Sequence, residues 1–405
     1  MGRRTCLALS LLCVAAAGAR ADERVSAVGV IDLRLVHSDG ATSYLEGGPG
    51  LLRFDSSDDG LHLGRAFVAL KARVTDIASV HAVIDTYGDH DRNPVDLSEL
   101  WLELRPYPVS ALRWRARIGA FYMPVSLENR GPGWSSVYAL TPSAINTWFG
   151  EEFRTIGAEV EARWLGAPSG YLGDLALVAA AYGWNDPAGV LIADRGFALS
   201  DRPSTLFGGL GRPPMTFYHE IDRRPGYYAG LSWRAYDRLE LRALRYDNRA
   251  DPGASTLSGN YAWLTRFSTA GVRFEPTARW TFITQYVDGS TWIGPDSAGD
   301  FQFRMTYHSA FALTSFERGP DRLTARYDGF GTHQSQGFYG PPPADQSGHA
   351  WTLAWTHELG DDWQLAAEWL RVTSNFPPRL EYGGPPGLVE SQYQIAIRYR
   401  FRFGF

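Results

Sequence analysis

The last thirteen residues, YQIAIRYRFRFGF from Tyr393 to Phe405, decide the fold. Tyr393, Ile395, Ile397, Tyr399, Phe401, Phe403 and Phe405 alternate with Gln394, Ala396, Arg398, Arg400, Arg402 and Gly404. A period of two places successive side chains on opposite faces, so the segment is a β-strand. One face is apolar and aromatic and the other carries three arginines, which suits a wall with lipid on one side and water on the other. A soluble sandwich strand alternates too, but the aromatic face running to a terminal Phe favours the membrane wall.

The same alternation recurs toward the N-terminus. Ala66, Val68, Leu70, Ala72 and Val74 oppose Arg65, Lys71 and Arg73, and Leu112, Trp114, Ala116 and Ile118 oppose Arg113, Arg115 and Arg117. Phe301, Phe303, Met305 and Tyr307 oppose Gln302, Arg304, Thr306 and His308, and Trp363, Leu365, Ala367 and Trp369 oppose Gln364 and Glu368. In each segment the apolar set is expected to face lipid and the polar set the lumen. Sixteen strands are predicted, starting near Arg24, Leu61, Val80, Val95, Ala111, Arg154, Asp174, Gly226, Arg238, Tyr261, Arg279, Phe301, Arg322, His349, Trp363 and Ser391. Their connections alternate in length. Asp76–Ser79, Pro106–Ser110, Tyr236–Asp237, Glu275–Ala278, Gly319–Asp321 and Gly360–Asp362 are short, whereas Asp39–Gly60, Asn129–Phe153, Asn185–Pro225 and Thr332–Gly348 are long. Short turns at one end and long loops at the other, on an even strand count, describe an all-β, transmembrane antiparallel barrel.

Composition narrows the class from the other direction. The 405 residues are 44% hydrophobic, 14% aromatic and 20% charged, which rules out intrinsic disorder. The apolar run Leu175–Trp184 falls far short of the ~20 residues of a spanning helix, so a helical membrane bundle is excluded as well. The N-terminus reads as an export signal over residues 1–21: Arg3 and Arg4, an apolar stretch from Cys6 to Gly18, then Ala19-Arg20-Ala21 before Asp22. The single barrel is then residues 22–405. Both cysteines, Cys6 and Cys13, lie in the leader, so the mature chain has no disulfide.

Alternate positions assigned to the lumen carry more basic than acidic side chains, with Arg304 among those counted inward. Basic linings favour anions. Arg113, Arg115 and Arg117 on one strand, Arg398, Arg400 and Arg402 on the last, and Lys71 and Arg73 form candidate ladders for passing an anion. Alternatively they pair with Glu99, Glu103 and neighbouring acids and brace the wall. The link Asn129–Phe153, with Arg130, Trp134, Tyr138, Trp148, Glu151 and Glu152, is unusually aromatic for a loop exposed to water. Folded inward, it would form a constriction edged by Glu151, Glu152 and the Arg113–Arg117 ladder. Packed over the mouth or at a subunit interface, it would bury the same rings.

The segment Gly119-Ala-Phe121-Tyr-Met-Pro124-Val-Ser126-Leu127-Glu128 resembles the end of the fifth strand in phosphate-selective porins of the O/P type, and Tyr399–Phe405 resembles the terminal assembly signal of outer-membrane porins. The resemblance implies a homotrimer in outer-membrane lipid, an inward-folded third loop at 129–153, and passive uptake of small anions or other hydrophilic solutes. Phosphate-selective members also use a lysine cluster, and this chain has the single Lys71, so a general porin with mild anion preference is the expectation.

Two other classes are weighed against a channel: a barrel enzyme and a plugged structural or adhesive barrel. The nine histidines are scattered, with no Ser-His or Asp-His spacing that picks out a catalytic site. Asp89, Asp91 and Asp96 read as solvated turn residues, because they lack the terminal bidentate Glu of a calcium loop. No phosphate-cradling loop, zinc cluster or nucleic-acid module stands out, so no cofactor, metal or nucleic-acid partner is expected.

Overall fold

The computed structural model describes residues 24–89, 95–210, 217–257, 260–294, 302–336 and 343–404. The leader 1–21, Asp91, Phe301 and Phe405 lie outside the described residues.

The strands are β1 (Val25–Ser38), β2 (Gly60–Arg73), β3 (Ala78–Thr86), β4 (Val95–Leu104), β5 (Leu112–Phe121), β6 (Asn129–Gly131), β7 (Ser135–Ser136), β8 (Thr155–Trp164) and β9 (Asp174–Gly183). They continue with β10 (Gly226–Ala235), β11 (Leu239–Asp247), β12 (Leu264–Thr277), β13 (Trp280–Ile293), β14 (Phe303–Arg318), β15 (Asp321–Gln336), β16 (Gln346–Leu359), β17 (Trp363–Asn375) and β18 (Gly387–Gly404). Sixteen of them form one closed antiparallel barrel in sequence order, with β6 and β7 set apart as a small hairpin. Three short helices lie between strands: α1 (Ala144–Glu152), α2 (Gly166–Ser169) and α3 (Val190–Arg195).

Closure comes from the first and last strands, which pair without interruption from Ser26↔Gly404 to Ser38↔Gln392. Closing the sheet satisfies every strand edge within the wall, which the lipid core requires. The outward face of β18 is as the alternation predicts: Tyr393, Ile395, Ile397 and Phe403 are exposed. Phe401 is the exception, with 7% of its surface exposed. It lies over Gly29 of β1, where a Cβ would come within 2.2 Å of the ring. The missing side chain thus seats the aromatic across the seam that closes the barrel. Ile118, Trp114, Val160, Leu231 and Leu353 extend the exposed apolar belt around the wall.

On β14 the expected facing is reversed. Phe303, Met305 and Tyr307 are buried inward, and Arg304, Thr306 and His308 lie on the outer face. Arg304 therefore stacks over the outer ring of Trp292 and is not a lumen charge. Alternation fixes which residues share a face but not which face looks inward. Here the apolar set turns inward because an apolar segment waits there to receive it.

That segment comes from the long loops. Residues 122–153, including β6, β7 and α1, enter the barrel, and parts of the links 39–59 and 184–225, including α3, fold in with them. Inward-facing Tyr246, Phe267, Val287, Tyr307, Phe330 and Leu370 of the wall pack with Trp148, Phe149, Phe153, Leu191, Ile192 and Phe197 in one apolar cluster. The long-loop half of the lumen is a protein core. Packing aromatic rings edge to face adds specificity to such a core, and Trp148 sits centrally, 4.7 Å from Phe153, 4.8 Å from Tyr307 and 5.8 Å from Phe197 between ring centres.

Candidate functional site: a lumen divided by an inserted loop

The backbone of the inserted loop is buried inside the barrel, so each of its groups needs a partner. Wall side chains supply them. Arg326 of β15 donates to the carbonyls of Thr141 (2.8 Å) and Pro142 (3.0 Å) and pairs with Glu128 (2.7 Å) and Asp328 (2.8 Å). Glu368 of β17 accepts from the amides of Leu140 (2.7 Å) and Thr141, and Asp328 accepts from Ala144 (3.0 Å). Arg242 of β11 donates to the carbonyls of Pro124 and Ser126, both at 3.0 Å. The loop is therefore fastened to well-separated strands of the wall.

The Ser143 side chain caps α1 by accepting from the Asn146 amide. The helix ends with Glu151 and Glu152, and neither edges an opening. Both are buried to within 1% exposure. Glu151 accepts from the Tyr44 hydroxyl and pairs with Arg195, while Glu152 accepts from the Trp148 indole (2.6 Å) and the Leu191 amide (3.1 Å). Burial lifts the Glu151 carboxyl above its ordinary value despite Arg195, and it pushes Glu152, which lacks a directly paired cation, up to about 7. The expected partnership of these acids with Arg113–Arg117 is thus corrected. The cation of Glu151 is Arg195, from the separate link 184–225, which no spacing in the sequence could connect to it.

Trp134 and Tyr138 are buried, and the Trp134 indole donates to the Asn146 carbonyl (2.7 Å). Arg130 is exposed and reaches Glu240 at 2.7 Å. From the other side, Arg65 donates to the Gly133 carbonyl (2.6 Å) while pairing with Asp85 at 2.6 Å. Residues 129–136 therefore form a strap tied to β2 at one point and to β11 at another. The strap divides the short-turn half of the lumen into two clefts.

The larger cleft, about 960 Å³, lies against β1 and β18. Its lining mixes Arg34, Arg65, Arg398, Arg400 and Arg402 with Asp32, Asp201, Glu358, Asp361 and Asp362. Arg398 pairs with Asp32 (2.9 Å), Arg400 with Glu358, and Arg402 is exposed. Asp201 bridges Arg34 (2.7 Å) and Arg53 (3.1 Å). Burial alone would raise its carboxyl, and the two guanidiniums override burial to hold it well below the usual range.

The smaller cleft, about 540 Å³, is lined by Lys71, Arg115, Arg117, Arg130 and Arg242 with Glu99. Arg115 pairs with Glu161 (2.9 Å) and Arg117 with Glu159 (2.7 Å). Arg113 is half-buried and donates to the Ser110 carbonyl at the short-turn end, where Arg73 also lies exposed. The first arginine row and the terminal row accordingly line different clefts, and most of their charges are braced by acids.

Asp89 is not a free turn residue: Arg53 (2.9 Å) and Arg202 (2.8 Å) hold it. Asp96 is buried and accepts from Thr205 at 2.6 Å. The Nε2 of His81 lies 2.9 Å from Ser79 Oγ and 3.8 Å from Glu103, so one ring nitrogen serves both neighbours. A nucleophile relay needs opposite nitrogens. Asp186, Glu220 and Asp222 bring carboxylate oxygens within 4.8 Å of one another among the long loops. Burial raises Asp186 to about 6, although it accepts the backbone amides of Ile221 and Asp222.

Neither a family model nor a curated protein matches the sequence. Solved structures do resemble the fold. The outer membrane channel DcaP of Acinetobacter baumannii aligns with a TM-score of 0.55 at 11% identity, over 93% of this chain and 96% of that one. OmpF of Salmonella typhi, in complex with daunomycin, aligns at 0.54 and 12%, over 94% and 98%. An anion-selective porin from Comamonas acidovorans aligns at 0.50 and 12%, over 93% and 99%. At these identities the likeness is one of architecture: the chain has the sixteen-stranded barrel of outer-membrane porins.

Proposed function

We propose that the protein is a bacterial outer-membrane porin through which small hydrophilic solutes diffuse passively, with a mild preference for anions. The observation that carries this reading is the strap: a loop inserted from the wall and tied to β2 and β11 leaves two clefts lined with charged side chains beside it, and among the charged residues of the smaller the basic ones predominate. Narrowing a barrel in this way sets a size limit, and charge lining the narrowed part sets ion preference. In this reading the mature chain starts at Asp22, the long loops face outward from the cell, and three copies associate through their apolar belts. The segment Gly119–Glu128 resembles the end of the fifth strand of O/P-type porins, and with the single Lys71 it supports a general anion preference in place of tight phosphate selection.

The test is conductance of the refolded mature protein in a planar bilayer, with the reversal potential under a KCl gradient. Stable ohmic steps with a reversal potential on the anion side support the proposal. A cation preference overturns the anion part. A second reading, a plugged structural or adhesive barrel, is favoured by the close-packed apolar cluster across the long-loop half, and electrical silence of the folded protein would decide for it.

A further inference from the structure

The smaller cleft has features that ion-pair bracing does not use. Lys71 has no carboxylate partner among the described residues. Next to it on the neighbouring strand is His81, whose ring stacks on the Trp101 indole with centres 4.7 Å apart and planes within 9°. Both rings are half-buried and line the cleft, forming an aromatic ledge beside the free ammonium group. Across the cleft Glu240 is oversubscribed: Arg130 (2.7 Å), Arg234 (3.2 Å) and Arg242 (2.6 Å) share this one carboxylate. Four buried polar atoms on lining residues have no hydrogen-bond partner: Trp101 Nε1, Arg115 Nε, Tyr122 Oη and Asn129 Oδ1. Leaving buried polar groups without partners costs free energy, and these lie in the wall of a space with surplus positive charge.

We infer that this cleft is a binding site for a planar organic anion, an aromatic monocarboxylate, which stacks on the His81–Trp101 ledge and sets its carboxylate toward Lys71 and the arginines. A volume of about 540 Å³ is within the range of small-molecule sites and far larger than a halide or phosphate fills. An aromatic face and an excess of N–H donors are wasted on a monatomic ion, and together they discriminate by shape and sign. The larger cleft, with its evenly mixed charges, has no comparable stacked pair among its described lining residues. This inference rests on the porin reading for its physiological meaning, but the site can be measured whether or not the barrel conducts.

The probes are benzoate, cyclohexanecarboxylate and benzylamine with the folded full-length mature barrel in detergent, followed by saturation-transfer NMR, and in bilayers by block of chloride current. Benzoate is expected to bind saturably and to be favoured at least fivefold over cyclohexanecarboxylate, which lacks the π face, and over benzylamine, which has the opposite charge. Lys71→Gln and Trp101→Ala should each weaken benzoate at least fivefold. Trp101→Phe, which keeps a ring and the packing, should retain most of it, and the heat-shifted gel mobility of a closed barrel verifies folding of each variant. Equal, non-saturating behaviour of the three probes overturns the site, as does benzoate binding unchanged by Lys71→Gln and Trp101→Ala. A silent barrel that still binds benzoate in this pattern overturns the porin reading and upholds the site. A conducting barrel indifferent to benzoate does the reverse.

Discussion

The two halves of the lumen are made from the same sixteen strands and obey opposite rules. Toward the long loops the inward faces are aromatic and aliphatic, and they close around Trp148, Phe149 and Phe197 as the core of a soluble protein would. Toward the short turns the inward faces carry arginine–carboxylate pairs such as Arg117–Glu159 and Arg398–Asp32, and the space between them remains open as two clefts. The difference teaches that a barrel interior is not polar by nature. It takes the character of whatever the loops deliver into it.

The contrast breaks most readily at Arg326, the fully buried cation that ties the inserted loop to β15. Arg326→Ala would leave Glu128 and Asp328 buried without their partner and two carbonyls unsatisfied, at the upper end of the ~3–5 kcal/mol typical of such losses. The loop should undock while the barrel stays closed, seen as a several-fold rise in conductance and as proteolysis within 129–153. Trp148→Ala removes the central ring of the apolar half and should cost about 3 kcal/mol of loop docking, measured as a lower denaturant midpoint for loop protection in hydrogen exchange.

A third, smaller effect comes from pH. The Glu152 carboxyl titrates near 7 when docked and near its ordinary value of 4.5 when the loop is released. The docked state holds its proton more tightly, so docking weakens as pH rises from about 4.5 to about 7 and then levels off, by on the order of 2–3 kcal/mol. Conductance should be noisier and higher at pH 8 than at pH 5, and Glu152→Gln should flatten that profile. An unchanged profile in the variant would assign the pH dependence elsewhere. The smallest effect sharpens the charged half: Arg402 is exposed at the short-turn end, so Arg402→Gln should shift the anion-to-cation permeability ratio by less than about twofold, because exposed charges are screened by solvent and salt.

Much of this architecture is legible from residue patterns. The alternation in Tyr393–Phe403 marks a wall strand, and the run of short and long connections brings the sixteen strands out in their observed order and close to their observed starts. The Asn129–Phe153 loop announces itself by its buried-type residues in a place where polar ones belong. The reversal on β14 is not legible, because Phe303-Arg304-Met305-Thr306-Tyr307 alternates identically whether lipid or a packed loop receives the apolar face. The roles of Glu151 and Glu152 are illegible for a related reason: their partners Tyr44, Arg195 and Leu191 are brought in by two other links.

Period-two patterning and connection length by themselves determined that this chain closes into an antiparallel membrane barrel, since both are local properties that backbone geometry and the lipid core translate directly into strands and topology. Only the tertiary structure decided which half of the lumen is packed and which is open, which arginines share a cleft, and where Lys71 meets the His81–Trp101 ledge. Those outcomes depend on side chains far apart in sequence competing for one enclosed space, and no local pattern records the winner of that competition.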